Sequence, residues 1–266
     1  MTEFLSPSLS VYIIAYNEAD KIADAVKSVL WADEILVLDS NSTDETAKIA
    51  EELGATVKQI PFTTFGKLRN DAIAACSHDW VFSLDSDERC TPEARQEIQS
   101  ILANPTADAY FVPRRNWFMG RWIKHCGWYP DYRQPQLFRK HAMVFDDAAE
   151  VHEGYTLNGR VAYFKHAIIQ IPYQNLDQLI HKMQRYSSLG AIKLERNGKS
   201  LGMGIALGRA FWTFFRIYFL KLGILDGWAG FVIAFGNFEG TFYRYAKATT
   251  AKMSWKPADD STAPRL

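Results

Sequence analysis

The chain has 266 residues, 48% of them hydrophobic and 23% charged, with a formal net charge of zero. That length and balance suit one large α/β domain with an appendage, and exclude a disordered, fibrous or collagen-like chain. The zero conceals an asymmetry: residues 1–110 hold 19 Asp/Glu against 8 Lys/Arg, while 181–256 hold 3 against 12, so an acidic front suited to a cation precedes a basic, aromatic rear suited to an anionic surface.

Residues 9–15 are an apolar, β-branched run, and 19–30 follow with helical spacing through Ile22, Val26, Val29 and Leu30. The unit recurs as a strand at 34–38, a polar turn from Asp39 to Thr43 and an amphipathic helix at 44–53 that Gly54 stops. Next come a strand at 55–60, a helix at 65–75, and a strand at 80–84 that runs into Asp85. A helix at 92–102 and a strand at 110–113 complete the alternation. Such a pattern predicts a parallel sheet covered by helices, with ligands bound outside the carboxyl ends of the strands.

Residues 114–165 read as irregular and rich in Trp, Tyr, Arg and Gly, which suits an acceptor site more than a core. Helical spacing returns at 176–195 and stops at Asn197-Gly198, and 201–247 is a long aromatic segment with glycine breaks. No fixed-period repeat is visible, and 255–266 read as a disordered tail.

Cys76, Cys90 and Cys126 are odd in number and lack metal-ligand spacing, so they are expected to be reduced thiols. Met1 to Ser10 lack the basic and apolar regions of a leader, which places the expected site of action in the cytoplasm. Arg216, Lys221, Asp226 and Glu239 break every apolar run before the roughly 18 to 20 residues that span a bilayer. Residues 208–221 instead combine aromatic bodies with Arg209, Arg216 and Lys221, the pattern of a helix lying in an interface; a helix buried against the sheet is the alternative. Phe and Ile interleave these cations, so no nucleic-acid motif is formed.

The sharpest chemical signal is Leu84-Asp85-Ser86-Asp87-Glu88, a strand running into carboxylates. Such hard oxygens suit Mg²⁺ or Mn²⁺, whose shell a substrate diphosphate completes: Asp87 would hold the ion, and Asp85 would contact a ribose or the ion's water. In isolation an Asp-x-Asp is better read as a solvated turn before the helix that starts at Pro92. Its companions reverse that: Ala15-Tyr16-Asn17-Glu18 ends one strand, Asp39-Ser40-Asn41-Ser42-Thr43-Asp44-Glu45-Thr46 follows a second, and Gly66-Lys67-Leu68-Arg69-Asn70 opens a helix. Ser42 and Glu45 also have the spacing of a capping box.

With these four motifs in this order, the sequence resembles the family-two glycosyltransferases of GT-A-type fold. The resemblance implies that Asp39, Ala15 and Glu18 hold uracil and ribose, with Tyr16, Asn17, Ser42, Asp85 and Ser86 completing the donor site. It also implies that Lys67 and Arg69 face the base or the diphosphate, as helix-start donors suit phosphate. No Gly-x-Gly-x-x-Gly or Walker sequence competes for the nucleotide.

The second half, with Trp128-Tyr129-Pro130-Asp131, Gln136-Leu137-Phe138-Arg139-Lys140, Val151-His152-Glu153 and Leu225-Asp226-Gly227, resembles the lipopolysaccharide inner-core β-1,4-glucosyltransferases. The resemblance implies domain limits: 1–175 as the transferase domain, with 1–110 for the nucleotide sugar and 111–175 for the acceptor, then 176–250 helical and 251–266 a flexible tail. It further implies an inverting hexosyltransferase that moves a hexose, glucose foremost, from a UDP-sugar to a lipid-linked heptose acceptor at the anionic inner face of the cytoplasmic membrane.

Inversion needs a base on the face opposite the leaving nucleotide. Glu153 is the expected base, with Glu150 as the alternative, because a carboxylate of reference pKa about 4.3 is already ionised at neutral pH. Asp131, Arg133 and Trp128, with Trp117 and Trp122 nearby, are the acceptor residues expected from the chemistry of sugar faces and hydroxyls. His152 is a third metal-ligand candidate. In the resemblance, several relatives carry a His three residues before a Tyr where this chain has Gln170 before Tyr173; if that His completes a metal site there, either His152 or His166 substitutes here or the site is more open. A polyprenyl-phosphate sugar synthase, or a binding module without turnover, are the other readings.

Overall fold

Strands that must be covered on both faces have to be largely apolar, and the central strands of this chain are, with Ser10 and Ser83 among their few buried polar residues. The computed structural model describes residues 7–147, 154–197 and 202–251, which divide into two units: residues 7–124 with 128–172, and residues 125–127 with 173–251.

The first unit alternates as β1 (Leu9–Ala15), α1 (Ala19–Lys27), β2 (Glu34–Asp39), α2 (Thr46–Glu52), β3 (Thr56–Gln59), α3 (Phe65–Ala75) and β4 (Trp80–Asp85). It continues as β5 (Glu88–Arg89), α4 (Pro92–Ala103), β6 (Ala109–Phe111), β7 (Arg114–Phe118), β8 (Arg121–Trp122) and β9 (Pro135–Arg139), and closes with β10 (Met143–Phe145), β11 (Tyr155–Leu157), β12 (Val161–Tyr163) and β13 (Ile168–Gln170). The main sheet has the order β12-β6-β9-β4-β1-β2-β3 and is parallel except for β9, which runs antiparallel to β4 and β6. This is the expected α/β class with a mainly parallel sheet flanked by helices.

Alternation sorts the side chains. Val11 and Ile13 of β1 and Phe82 and Leu84 of β4 pack with Ile22 and Val26 of α1 and Ile98 of α4. Tyr12 and Ile14 of β1 and Val81 of β4 pack on the other face with Leu68 and Ala72 of α3. Burying each aliphatic or aromatic side chain contributes about 1.5–3 kcal/mol, so the strand carrying Asp85 is held from both sides. Thr64 Oγ1 caps α3 through the Lys67 N–H at 3.1 Å, and Thr91 caps α4 through Ala94 at 3.1 Å, with Pro92 in the first turn.

The expectation of irregular chain over 114–165 is corrected. That stretch holds β7 to β12, and β9 lies in the middle of the main sheet. β9 escaped notice because Pro-Gln-Leu-Phe-Arg has no β-branched residue and starts on proline; its polar Gln136 is buried for a reason that belongs to the site.

The second unit contains α5 (Leu176–Arg196), α6 (Met203–Phe215) and α7 (Gly227–Thr250). Alanines dominate its interior, with Ile217 and Ile233: Ala206, Ala210, Ala229 and Ala234 are buried, while Phe211, Trp212, Phe215, Phe219, Trp228 and Phe231 are exposed. A Cβ on Gly230 would lie 1.9 Å from the Gly223 carbonyl oxygen, so only glycine permits that approach. Asp226 is buried and accepts from the His125 backbone N–H at 2.9 Å. Among the described residues no single helix is long and apolar enough to cross a membrane; Met203–Leu220 and Gly223–Thr250, bent by 71°, meet that test only as a pair.

Candidate functional site

The expected donor residues lie where β1, β2 and β4 end, and hydrogen bonds knit the first two of these loops together. Ala15 O accepts from the Ser40 N–H at 2.9 Å. The Asn17 N–H donates to Ser42 Oγ at 2.8 Å, Asn17 Oδ1 accepts from the Thr43 N–H at 2.8 Å, and the Glu18 N–H donates to Thr46 Oγ1 at 2.8 Å. Asn17 and Asn41 hold φ of 52° and 61°, a region that asparagine tolerates better than most residues.

Ser42 is committed to Asp39: its hydroxyl donates to Oδ1 and its N–H to Oδ2 at 2.9 Å. The capping box therefore does not form. Helix α2 starts at Thr46 with no side-chain cap from Glu45, and Asp44 accepts from the Thr46 N–H instead. Asp39 is fully buried while Tyr16 is 59% exposed, so Asp39 shapes the loop and Tyr16 faces outward from it.

At the end of β4, Arg69 Nη2 donates to Asp85 Oδ1 at 3.0 Å and Nη1 to Ser83 Oγ at 3.2 Å. Burial alone would raise the Asp85 pKa; the charges of Arg69 and then Arg114, with the Arg69 hydrogen bond, outweigh it and hold the carboxyl below its ordinary value. Of the two cations expected to face the base or diphosphate, Arg69 is buried and acts through Asp85, whereas Lys67 is exposed and pairs with Asp71 one helical turn on.

Glu88, fully buried, organises the next layer. It accepts from Arg114 Nε at 2.5 Å, from Gln136 Nε2 at 2.8 Å and from the Asp85 N–H at 3.0 Å. Arg114 Nη1 donates onward to Asp131 O at 3.1 Å. Asp131 in turn accepts from Arg133 Nη2 at 2.7 Å and from Asn116 Nδ2 at 3.1 Å, and Asn116 also reaches Trp128 O at 2.7 Å. The proposed acceptor residues Asp131, Arg133 and Trp128 are thus brought together, and a buried ion pair ties them to the carboxylate loop. Glu88, Arg114, Gln136 and Asn116 were missed as site residues. Glu88 stood inside the carboxylate motif and Gln136 in an otherwise apolar stretch, while Arg114 and Asn116, in Arg-Arg-Asn-Trp-Phe, carried no signal of burial.

Glu150, His152 and Glu153 lie outside the described residues. The chain on either side of them is anchored: the Asp146 N–H donates to Gly154 O at 2.8 Å, Asn70 Nδ2 donates to Phe145 O at 2.9 Å, and Thr64 Oγ1 donates to Asp147 O at 2.8 Å. A Cβ on Gly66 would meet Asp146 O at 2.1 Å. The Gly66-Lys67-Leu68-Arg69-Asn70 motif therefore seats the start of the segment that carries the expected base.

Ser86 is buried and its carbonyl accepts from Arg89 at 2.8 Å. Asp87 is half-buried beside Gln170, whose Nε2 donates to both carboxylate oxygens at 3.3 and 3.2 Å. Among the described residues no three His, Cys, Asp or Glu side chains are clustered to hold a metal. His166 is engaged by Glu97 at 2.9 Å. The carboxylates of Asp87 and Asp85 are hard oxygen donors, which fit a small divalent cation and no thiophilic one. The cysteines are free and buried, and burial pushes each thiol up to about 12, which makes them inert.

Residues 10–161 match the family model described as Glycosyl transferase family 2. An uncharacterised glycosyltransferase of Rickettsia felis is 30% identical over 264 residues, covering 93% of this chain and 92% of that protein. The lipopolysaccharide core biosynthesis glycosyltransferase LpsC of Rhizobium meliloti is 26% identical over 256 residues, covering 90% of this chain and 93% of that protein. Among solved structures, S. aureus TarS residues 1–349 in complex with UDP has a TM-score of 0.50 at 14% identity, over 95% of this chain and 94% of that one, a likeness of fold.

Proposed function

The chain belongs to glycosyl transferase family 2, and on that premise we propose that it transfers a hexose, glucose foremost, from a UDP-sugar to a heptose of a lipopolysaccharide core with inversion. The observation that carries this is the convergence at one sheet edge of the knitted Asn17–Ser42–Asp39 loops, the Arg69–Asp85 pair and Asp87. The likeness to LpsC supports the acceptor class.

Tyr16, Asn17 and the Ser40–Ser42 turn receive the uridine, with Asp39 setting the turn. Asp85, fixed by Arg69 and by Glu88, orients the ribose side of the donor, and Lys67 adds charge near the diphosphate. Mg²⁺ or Mn²⁺, held by Asp87, would supply charge neutralisation for the departing diphosphate. The acceptor hydroxyl oxygen attacks the anomeric carbon, its proton passes to Glu153, and the bond from that carbon to the diphosphate oxygen breaks to release UDP. Asp131, Arg133 and Trp128 hold the acceptor sugar. The exposed aromatic face of the second unit lies in the anionic inner face of the cytoplasmic membrane, where a lipid-linked acceptor is met.

The test is UDP release from a panel of UDP-sugars with Mg²⁺ or Mn²⁺ and core lipids truncated at each step. Turnover requires a heptose-terminated acceptor and falls far more than donor binding in Glu153→Gln. Turnover with a polyprenyl phosphate instead, insensitive to that substitution, refutes the acceptor assignment.

A further inference from the structure

We propose that Gln170 is itself a ligand of the divalent ion assigned to Asp87, binding through Oε1 and making the protein's share of the site all oxygen; this rests on the metal-assisted reading above. Pairing of β13 with β5 sets Gln170 abreast of Glu88, and the Ile171 N–H donates to Asp87 O at 2.9 Å, so backbone bonds fix the amide beside the carboxylate. Gln170 is 3% exposed, and among the described residues its Oε1 has no hydrogen-bond partner. The Nε2 donor, by contrast, is shared between both Asp87 oxygens at 3.3 and 3.2 Å, long and even distances.

A buried amide that uses its donor and leaves its acceptor idle employs half of its capacity. A half-turn about the terminal side-chain bond exchanges its nitrogen and oxygen. Without a cation the exchange is unfavourable, because it sets a carbonyl oxygen against a carboxylate. A divalent ion between them reverses the sign: both oxygens then face positive charge, and the idle acceptor gains its partner. The two loading states therefore select opposite orientations of one amide.

Two consequences follow from the ligand chemistry. A neutral amide adds no charge to the site, so tight binding awaits the negative diphosphate, and the ion binds with the nucleotide rather than before it. An all-oxygen set also suits Mg²⁺, whereas an imidazole nitrogen shifts preference to transition ions.

Electron paramagnetic resonance titration of Mn²⁺ into the full chain, with and without UDP and with Mg²⁺ as competitor, reads ion binding without turnover. Gln170→Ala is expected to weaken Mn²⁺ binding in the presence of UDP by about tenfold or more. Gln170→His is expected to retain Mn²⁺ but to resist Mg²⁺ competition by about tenfold relative to the unaltered chain. Gln170→Glu, similar in shape, is expected to bind Mn²⁺ without UDP, and it serves if the alanine variant fails to fold. Unchanged Mn²⁺ binding and unchanged Mg²⁺ competition in the folded variants overturn the proposal. Asp87→Asn separates the two levels: if it abolishes ion binding while the Gln170 variants do not, only Gln170 is wrongly assigned. If Asp87→Asn too binds normally, the metal assignment itself falls, and this proposal with it.

Discussion

Replacing Glu88 with alanine tests whether the carboxylate loop is held from beneath. Glu88 and Arg114 are 0% and 1% exposed in their side chains and meet at 2.5 Å. Alanine at 88 strands the Arg114 guanidinium in the interior and leaves the Gln136 amide and the Asp85 N–H without their shared acceptor. Removing one member of such a buried pair costs about 3–5 kcal/mol, mostly as the uncompensated charge. For a unit of this size each kcal/mol lowers the midpoint by about 2–4 °C, so thermal unfolding should shift by about 6–20 °C. Calorimetry on Glu88→Ala, Arg114→Met and the Glu88→Leu/Arg114→Met double variant gives the comparison. The double variant should recover much of the loss, because neither charge is then left alone. A Glu88→Ala midpoint within roughly 2 °C of the unaltered chain would refute the argument, and the Asp85–Asp87 turn would then be held by something other than this pair.

Asp87→Ala is expected to abolish metal-dependent transfer; retained turnover with the same metal dependence removes Asp87 from the ion. Asp39→Ala should weaken UDP binding by about tenfold by releasing the turn that Ser42 N–H and Oγ anchor on this carboxylate; isothermal titration that finds UDP affinity unchanged in a folded variant displaces the uridine pocket. Since the folded Asp85 carboxyl lies below its ordinary value, the unfolded chain takes up that proton first. Its stabilisation is complete above the unfolded value of about 3.9 and is lost as pH falls through the folded one. Asp85→Asn should flatten that limb of acid unfolding followed by circular dichroism, and an unchanged limb contradicts the assignment. Replacing Arg209, Arg216 and Lys221 with Gln removes charges worth about 1 kcal/mol each at an anionic bilayer, so co-sedimentation with anionic vesicles should fall while neutral vesicles are unaffected. Equal binding to both, with no effect of the substitutions, rejects the electrostatic part of the membrane reading.

The front of the fold was legible because its central strands β1, β2 and β4 are mostly apolar on both faces and each ends in a polar cluster. Leu9–Ala15, Glu34–Asp39 and Trp80–Asp85 fall within a residue of their expected limits. β9 was not legible, since a five-residue strand with a buried glutamine looks like loop until Glu88 is known to need Gln136 as a donor. The same blindness covered Arg114. An arginine at the start of a strand reads as solvated, and only the tertiary fold shows that it is fully enclosed between Glu88 and the Asp131 carbonyl. Motif residues were placed correctly at the sheet edge, yet their division of labour was not visible. Asp39 and Arg69 sit beneath the surface and hold Ser42 and Asp85, which no spacing rule distinguishes from direct contact with a ligand.

The rear segment shows a different limit. Aromatic and basic residues at 208–221 suggested either an interfacial helix or a buried one, and hydrophobicity alone does not choose between them. In the second unit α6 and α7 bury Ala206, Ala210, Ala229, Gly230, Ile233 and Ala234 and leave Phe211, Trp212, Phe215, Trp228 and Phe231 exposed. Water drives large apolar side chains inward, because each buried one contributes about 1.5–3 kcal/mol. Helices whose small residues meet and whose large ones face outward follow the packing rule of an apolar solvent, where close backbone approach and not hydrophobic burial joins them. An exposed apolar patch of this kind calls for a covering. The cations Arg209, Arg216 and Lys221 are exposed in the same segment, and their charge is what the vesicle experiment reads for the proposed anionic lipid surface.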